Sequence, residues 1–234
     1  MNKLLVITGG SKGIGLATCR SFLQHGYRVI SLSRSSPPKT DVAHLPVDLC
    51  DVEWPRTLGP QLLEQVRGAD RIALVHNAAM TASDTVADLA SSDLARVLHL
   101  NVTSAVQLNG MLLPLMEPGS SILYVGSTLS EKAVPGACSY VVSKHAQLGL
   151  MRATCQDLMG RGIHTAAVCP GFTDTEMLRA HVGHYQQTLQ SIAGMSSFGR
   201  LVQPEEIADT LQFCAENPVI NGAVLHANLG QREN

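Results

Sequence analysis

Three polar side chains in the middle of the chain could together move a proton to or from a substrate oxygen. Tyr140 and Lys144 stand four residues apart, so on a helix their side chains share one face. A free phenol has a pKa near ~10, and a neighbouring ammonium group lowers it by favouring the phenolate. Ser127 could donate a hydrogen bond to the same substrate oxygen. These residues predict that Tyr140 acts as a general acid toward a carbonyl oxygen, and as a base in the reverse direction.

A fourth candidate, Asn101, interrupts an apolar helical stretch at residues 98–102. An asparagine inside a helix can disturb the backbone hydrogen-bond ladder and leave a main-chain carbonyl free. A water molecule bound to that carbonyl could connect Lys144 to solvent as a proton relay. The other interpretation is a buried asparagine whose hydrogen bonds are satisfied in the core, and the sequence alone leaves both open.

A glycine-rich turn near the start of the chain could hold the phosphates of a dinucleotide. Residues 8–15 read TGGSKGIG, after an apolar run and before a helical pattern. Gly9 permits a tight turn, Gly13 lets the backbone approach a pyrophosphate, and Gly15 allows close helix–sheet contact. The helix N-terminus then offers N–H groups to the anion, whereas the alternative is an ordinary glycine-rich turn. The predicted cofactor contacts here are Gly9, Ser11, Lys12, Gly13, Ile14 and Gly15.

The residues after the second and third apolar runs indicate which dinucleotide would bind. A NAD-binding fold usually has an acid after the second run, where it bonds the ribose 2′-hydroxyl. Here Ser33 takes that place, and the guanidinium of Arg34 could bond a 2′-phosphate. With Lys12 as a second cation, this favours NADP(H), the alternative being two solvated surface cations. Asp48 and the N–H of Leu49 could bond the adenine, unless Asp48 is a turn or helix cap.

Seven short apolar runs alternate with longer helical patterns along the chain. Repeated strand–helix alternation predicts an α/β fold, a single Rossmann-type doubly wound parallel sheet with helices on both faces. Ligands of such sheets bind beyond the carboxyl ends of the strands, where the glycine turn and Ser127 fall. A helix over 139–159 would carry Tyr140 and Lys144. The predicted strands are 3–8, 27–32, 43–47, 71–76, 121–126, 164–169 and 223–226.

Composition limits the class of protein and of partner. The 234 residues predict one domain over 1–234, and a net charge of −2 gives no basic surface for nucleic acid. No apolar run approaches the ~20 residues of a membrane span, and the first apolar run is too short for a signal peptide. The six cysteines are scattered without a Cys-x-x-Cys pair, which favours reduced thiols and a cytoplasmic location.

Together these motifs resemble the classical short-chain dehydrogenase/reductase family, in its NADP-preferring form, from residue 8 to about residue 222. The resemblance implies an oxidoreductase whose catalytic tetrad is Asn101, Ser127, Tyr140 and Lys144. It implies further cofactor contacts by Asn77, Ala78, Ala79, Tyr140, Lys144, Pro170, Gly171, Thr173 and Thr175. The chain departs from the family in two places. The family's Asn-Ala-Gly after the fourth strand is Asn-Ala-Ala here, at 77–79, and the Asp-Gly-Gly that often follows the last strand is replaced by the run HANLG at 226–230. In many relatives this C-terminal run helps to form a tetramer interface, so the second departure bears on the tetramer and not on the chemistry.

Residues 174–198 are predicted to form a substrate-binding loop or lid within the domain. It offers an apolar lining with some polar groups and no cluster of cations, which favours a small or medium apolar substrate. His181 and His184 have a spacing that could suit a metal, but no carboxylate or cysteine cluster accompanies them, so we expect no metal site. The lining residues are predicted to be Met177, Leu178, His181, His184, Tyr185, Ile192, Met195 and Phe198.

The leading hypothesis is an NADPH-dependent reductase of a small or medium apolar ketone, aldehyde or diketone. Residues 198–206 resemble 3-oxoacyl-(acyl-carrier-protein) reductases, which makes that enzyme the first alternative. Such an enzyme needs cations to meet an acidic carrier protein, and the candidates are Arg152, Arg179 and Arg200. A non-catalytic NADP-binding sensor is the second alternative. The resemblance implies association through the helix that carries Tyr140 and the helix before it. Apolar residues in 104–115 and 146–158 offer surface for this, so we expect a homodimer or homotetramer.

Overall fold

Seven parallel strands form one sheet in a computed structural model that describes residues 1–38, 41–182 and 186–232. The strands are β1 (Lys3–Thr8), β2 (Arg28–Ser33), β3 (Ala43–Pro46), β4 (Arg71–His76), β5 (Ser121–Val125), β6 (His164–Pro170) and β7 (Val224–Ala227). Their order across the sheet is β3-β2-β1-β4-β5-β6-β7, so the winding reverses between β1 and β4. A reversal of this kind opens a ligand crevice at the carboxyl edge. The predicted Rossmann-type sheet is confirmed.

Helices cover both faces of this sheet. The α-helices are α1 (Gly13–Gln24), α2 (Trp54–Val66), α3 (Ser91–Leu98), α4 (Ser104–Leu112), α5 (Cys138–Asp157), α6 (Glu176–Val182), α7 (Gln186–Ala193) and α8 (Pro204–Glu216). Short turns of 3-10 helix are Leu113–Leu115, Thr128–Ser130 and Pro218–Ile220. Segment 174–198, predicted as a loop, contains α6 and α7, because its apolar residues also recur at helical spacing.

Alternate residues of the strands enter two separate apolar layers. In β1, Leu4 and Val6 pack into the layer formed with α2, α4 and α5, whereas Leu5 and Ile7 pack into the layer formed with α1 and α8. All four side chains are completely buried. Burial of each contributes about 1.5–3 kcal/mol, which explains why a strand covered on both faces has a continuous apolar sequence.

The start of α5 is fixed by a residue from a distant loop. Its N-cap residue, Ala137, has no side chain that can cap a helix. Asp84 takes this role, since its Oδ1 accepts the Ser139 N–H at 2.9 Å and its Oδ2 accepts the Ser139 hydroxyl. A carboxylate at a helix N-terminus is stabilised by the helix dipole. The loop after β4 therefore sets the position of Tyr140, one residue further along.

Three further features of the described residues concern membrane spans, cysteine thiols and metal sites. None of the helices in the described ranges has the length and apolar character that crossing a membrane requires. All six cysteines, each in a described range, have free thiols. The described residues contain no group of three or more His, Cys, Asp or Glu side chains arranged to hold a metal ion. His184, Tyr185 and the side chain of His181 lie outside the described residues.

Candidate active site

The glycine turn between β1 and α1 is held against the end of β4. Gly9 has a φ of +71°, and a Cβ on Gly15 would lie 2.1 Å from the Gly9 carbonyl oxygen. The Asn77 side-chain amide donates to the carbonyl oxygens of Thr8 at 2.9 Å and Gly9 at 3.1 Å. The N–H groups of Asn77 and Ala78 both donate to the Thr8 hydroxyl. Asn77 therefore shapes the turn from behind.

The N-terminus of α1 follows the carboxyl end of β1 and has no cap from its own side chains. Its N-cap, Lys12, makes no side-chain cap, and the first turn of α1 has no acid of its own. The Glu176 carboxylate is nearby, however, with its Oε2 3.6 Å from where a Cβ on Gly13 would lie, so the positive end of the helix dipole has an acid beside it. Thr175 comes from the segment after β6, with its methyl carbon 3.2 Å from where a Cβ on Gly13 would lie. Only glycine leaves this space open. The cradle fits the diphosphate of a nicotinamide dinucleotide.

Two exposed cations border this cradle. Lys12 and Arg34 are both exposed, and neither forms an ion pair with a carboxylate in the described part of the chain. Ser33 is buried, and its hydroxyl donates to the Ser35 carbonyl at 2.9 Å. At this edge of the sheet, Arg34 and Lys12 are thus the groups available to an anion.

Asp48 and Leu49 follow β3, where an adenine contact was expected. Asp48 is exposed, and its Oδ1 accepts the Cys50 N–H at 3.0 Å. This is the turn-capping role that the sequence left open, and it occupies only one carboxylate oxygen. The Leu49 side chain is buried in the core, which anchors the turn. An adenine contact by Asp48 stays a prediction.

Ser127 stands at the end of β5 with its hydroxyl held by the 3-10 turn that follows. Its Oγ accepts the Leu129 N–H at 3.1 Å, and its own N–H donates to Ser130 Oγ at 3.1 Å. A hydrogen bond from Ser127 acts on the phenol of Tyr140 to lower its pKa, but burial is the larger effect and raises that pKa to about 12. The two hydroxyl groups are therefore close enough to interact, and their joint action on a substrate oxygen stays a prediction.

Lys144 lies beneath Tyr140, one helical turn along α5. Its Nζ is 5.6 Å from the centroid of the Tyr140 ring, and its side chain is buried. Burial lowers the pKa of Lys144 to about 8, because a charged group loses its hydration inside a protein. The sequence led us to expect a lowered Tyr140 pKa. In this structure burial raises that pKa instead, and the opposing influence comes from the Ser127 hydrogen bond and not from Lys144.

Asn101 lies in a π-helical turn, His99–Thr103, between α3 and α4. The predicted disturbance of the hydrogen-bond ladder is therefore present. The predicted free carbonyl is wrong: the Asn101 main-chain oxygen accepts a hydrogen bond from Gln147 Nε2 at 3.2 Å. The side chain is satisfied as well, by the main chain of Met80 on both sides and by Ser143 Oγ at 2.9 Å. This is the core asparagine of the alternative interpretation.

The segment after β6 closes the far side of the crevice. The Gly171 N–H, next to Pro170, donates to the Ala227 carbonyl at 3.1 Å, and a Cβ on Gly171 would lie 2.8 Å from the Asn228 Cβ. Thr173 is buried and its hydroxyl donates back to the Gly171 carbonyl at 3.0 Å. Thr175 and Glu176, further along this segment, reach the glycine turn at Gly13. The remaining predicted cofactor contacts, which lie outside this segment, are half-buried: Ser11, Ile14 and Ala79.

Two residues that the sequence analysis missed act on the central pair. The Cys169 thiol, on β6, influences the pKa of both Tyr140 and Lys144. Nothing in the sequence marks it, because β6 and α5 are brought together only by the sheet. Gln147 accepts a hydrogen bond from Lys144 Nζ at 3.1 Å. The sequence did indicate Gln147, because it stands three residues after Lys144 and therefore on the same helical face.

The three arginines considered as contacts for an acidic partner are all paired with carboxylates. Arg152 lies 3.3 Å from Glu131, Arg179 lies 2.7 Å from Asp174, and Arg200 lies 2.7 Å from Glu206. Each positive charge is thus balanced locally. These pairs leave no uncompensated arginine cluster among the three.

Comparisons with known proteins agree with the family and the fold. The family described as enoyl-(acyl carrier protein) reductase matches residues 9–232. Carbonyl reductase family member 4 of Xenopus laevis is 29% identical, with 96% of each chain covered. The 3-oxoacyl-(acyl-carrier-protein) reductase of Thermotoga maritima is 28% identical, with 95% of each chain covered. A short-chain dehydrogenase family protein from Francisella tularensis has the same fold, with a TM-score of 0.89, 24% identity and 98% of each chain covered.

Proposed function

Because this chain belongs to the short-chain dehydrogenase/reductase family, whose members bind a nicotinamide dinucleotide, we propose that it reduces a carbonyl group to an alcohol with NADPH. The observation that carries the proposal is the meeting of the Tyr140 phenol, the Ser127 hydroxyl and the buried Lys144. Ser127 follows the carboxyl end of β5, and the N-terminus of α1, which has no side-chain cap, follows the carboxyl end of β1 in the same parallel sheet.

In the proposed reaction, NADPH bound at the glycine turn would supply the hydride that the carbonyl carbon accepts, with NADP⁺ as the other product. Tyr140 gives its phenolic proton to the carbonyl oxygen, so that the product is a neutral alcohol. Ser127 donates a hydrogen bond to the same oxygen while negative charge develops there. Lys144, when protonated, stabilises the phenolate that remains. A proton from solvent then restores the phenol.

The preference for NADPH is supported by charge. A ribose 2′-phosphate carries negative charge that a 2′-hydroxyl lacks, and Arg34 and Lys12 are exposed cations at the edge where it would lie. A guanidinium can form two parallel hydrogen bonds with phosphate oxygens. Residues 33–35 hold no acid that would repel the phosphate.

We propose a small or medium apolar ketone, aldehyde or diketone as the substrate class, in keeping with the carbonyl reductase from Xenopus laevis. The relative from Thermotoga maritima keeps a 3-oxoacyl thioester as the second candidate. Docking of an acidic carrier protein is disfavoured, since Arg152, Arg179 and Arg200 already bond carboxylates. A coenzyme sensor without catalysis would not need Tyr140 and Lys144 to meet in the crevice.

The test follows the near-ultraviolet absorbance of NADPH, and of NADH in parallel, with a substrate panel. The panel contains aromatic ketones, diketones, aldehydes, quinones and a 3-oxoacyl thioester, the last as a small free thioester and on an acidic carrier protein. We expect NADPH oxidation with at least one apolar ketone, aldehyde or diketone. Turnover only with the carrier-linked thioester would favour the second candidate. Tight NADPH binding without turnover of any substrate would favour the sensor.

A further inference from the structure

We propose that Gln147 is a positioning residue that holds the Lys144 ammonium in place by linking it to the main chain of the π-helical turn. Lys144 Nζ donates to Gln147 Oε1 at 3.1 Å, and Gln147 Nε2 donates to the Asn101 carbonyl oxygen at 3.2 Å. The side-chain amide thus uses its acceptor toward the lysine and its donor toward the backbone. Its orientation is fixed, because a reversed amide would place a donor against the ammonium.

The burial of this bridge makes its hydrogen bonds matter. Lys144 and Gln147 are each 2% exposed, and Asn101 is 1% exposed. A buried ammonium that lacks acceptors carries a large desolvation cost. Among the described residues, Lys144 Nζ has one other acceptor, the Val125 carbonyl oxygen at 2.7 Å. An ammonium has three donors, so these two acceptors hold two of them and leave the third for the crevice.

The bridge also changes what the π-helical turn does. A carbonyl released from a helix ladder is available to water, and water at Asn101 would link Lys144 to solvent. Here a glutamine side chain makes that link, and an amide does not readily exchange protons as water does. Gln147 therefore favours the charged state of Lys144 and fixes the direction of its ammonium group. It does not relay a proton between Lys144 and solvent.

Few other ionisable groups act on Lys144. On its own helix the neighbour is Tyr140, and on β6 it is the Cys169 thiol, which favours the charged lysine. Glu131 acts on Cys169 in turn. From β5 only the Val125 carbonyl contacts it, and from the π-helical turn the Asn101 carbonyl reaches it through Gln147. The removal of Gln147's acceptor should therefore be visible in the titration of Lys144.

The catalytic meaning of the bridge rests on the proposed function, but its effect on Lys144 does not. The experiment uses the full chain without coenzyme, with isotopically labelled lysine followed by NMR across pH. The chain has only five lysines, which simplifies assignment: Lys3, Lys12, Lys39, Lys132 and Lys144. Loss of a signal in Lys144→Met identifies it. A Tyr140→Phe background removes the coupled phenol.

In that background, Gln147→Met keeps the length of the side chain but removes both amide groups. We expect the Lys144 titration midpoint to fall by about one pH unit, the size of one lost hydrogen bond to a charged group. Gln147→Glu should raise the midpoint, because a carboxylate is a stronger acceptor. The matched control is Gln156→Met, an exposed glutamine on α5, which should leave the midpoint unchanged.

Circular dichroism and thermal melting establish that each variant is folded. An unchanged Lys144 midpoint in folded Gln147→Met would overturn the proposal, whatever the enzyme assays report. If Gln147→Met does not fold, Gln147→Glu decides alone: an upward shift supports the bridge and an unchanged midpoint refutes it. Failure of the substrate panel with the expected Lys144 shifts would instead count against the proposed function alone.

Discussion

Burial acts in opposite directions on the pKa values of the two central side chains. It raises the pKa of Tyr140 to about 12 and lowers that of Lys144 to about 8. Both shifts favour the neutral group. Below about pH 8 Lys144 is mostly protonated, and only then does its charge stabilise a phenolate. The proposed proton transfer by Tyr140 therefore depends on what keeps Lys144 charged, which at this scale means the acceptors around its Nζ.

Coenzyme preference should depend on Arg34. Arg34→Asp replaces an exposed cation with an anion that repels a 2′-phosphate and can accept from a 2′-hydroxyl. We expect the kcat/KM ratio of NADPH to NADH to fall by about 10–100-fold, the loss of one charge-assisted contact. Steady-state kinetics with both coenzymes measure it. Arg67→Asp, at an exposed site on the end of α2, is the control, and an equal effect there would remove Arg34 from the phosphate site.

The turn between β1 and α1 has no room for a side chain at Gly15. Gly15→Ala would place a methyl group 2.1 Å from the Gly9 carbonyl oxygen, so the turn must shift. We expect NADPH binding, measured by fluorescence titration, to weaken at least about tenfold, since the N–H groups lose their alignment. Gly110→Ala is the matched control. It has open space on α4 and should bind normally, with a gain of up to about 1 kcal/mol in helix stability. Equal binding by both variants would contradict the cradle.

Local sequence patterns were sufficient for the strands and for the disturbed helix at Asn101. Buried parallel strands have continuous apolar runs, and an asparagine in an apolar helix is a local signal. The partner of the Asn101 carbonyl was not predictable in the same way. Gln147 is 46 residues away, and only the packing of α5 against the π-helical turn brings them together. The ion pair between Arg152, on α5, and Glu131, after the 3-10 turn that follows β5, likewise joins two separate parts of the chain.

At the scale of the whole molecule, stability should depend on pH through His76. This buried side chain on β4 contacts Asn109 Oδ1 at 2.7 Å. Burial lowers the pKa of His76 to about 4, against the smaller opposing effect of the Asn109 hydrogen bond. An unfolded histidine titrates near ~6.5. Between these values the unfolded chain binds a proton that the folded chain does not, so stability is full above about pH 6.5 and falls toward pH 4.

Urea denaturation measures this contribution directly. Between about pH 7.5 and pH 5, we expect His76 to remove about 2 kcal/mol from the free energy of unfolding. His76→Gln, which can still donate to Asn109, should lose correspondingly less stability over the same range. His145→Gln, at an exposed position on α5, should behave like the wild type. If His76→Gln and wild type lose equal stability, His76 is not the group responsible.

Association of chains stays a prediction at this scale. Val106 on α4 is 49% exposed and Val142 on α5 is 41% exposed, in the helices whose apolar residues predict a homodimer or homotetramer. Sedimentation equilibrium should give two or four chains per particle, and Val142→Glu should weaken association. A monomer at every concentration would contradict the prediction.

The most direct test of the central claim compares wild type with Tyr140→Phe, a change of one hydroxyl group at the proposed proton donor. NADPH affinity is measured by fluorescence titration, and turnover is measured with the best carbonyl substrate of the panel. Our account predicts that NADPH binds with similar affinity while turnover falls at least about a hundredfold, because general acid catalysis supplies that much. Normal turnover by folded Tyr140→Phe would contradict the account, since the proton would then come from another group.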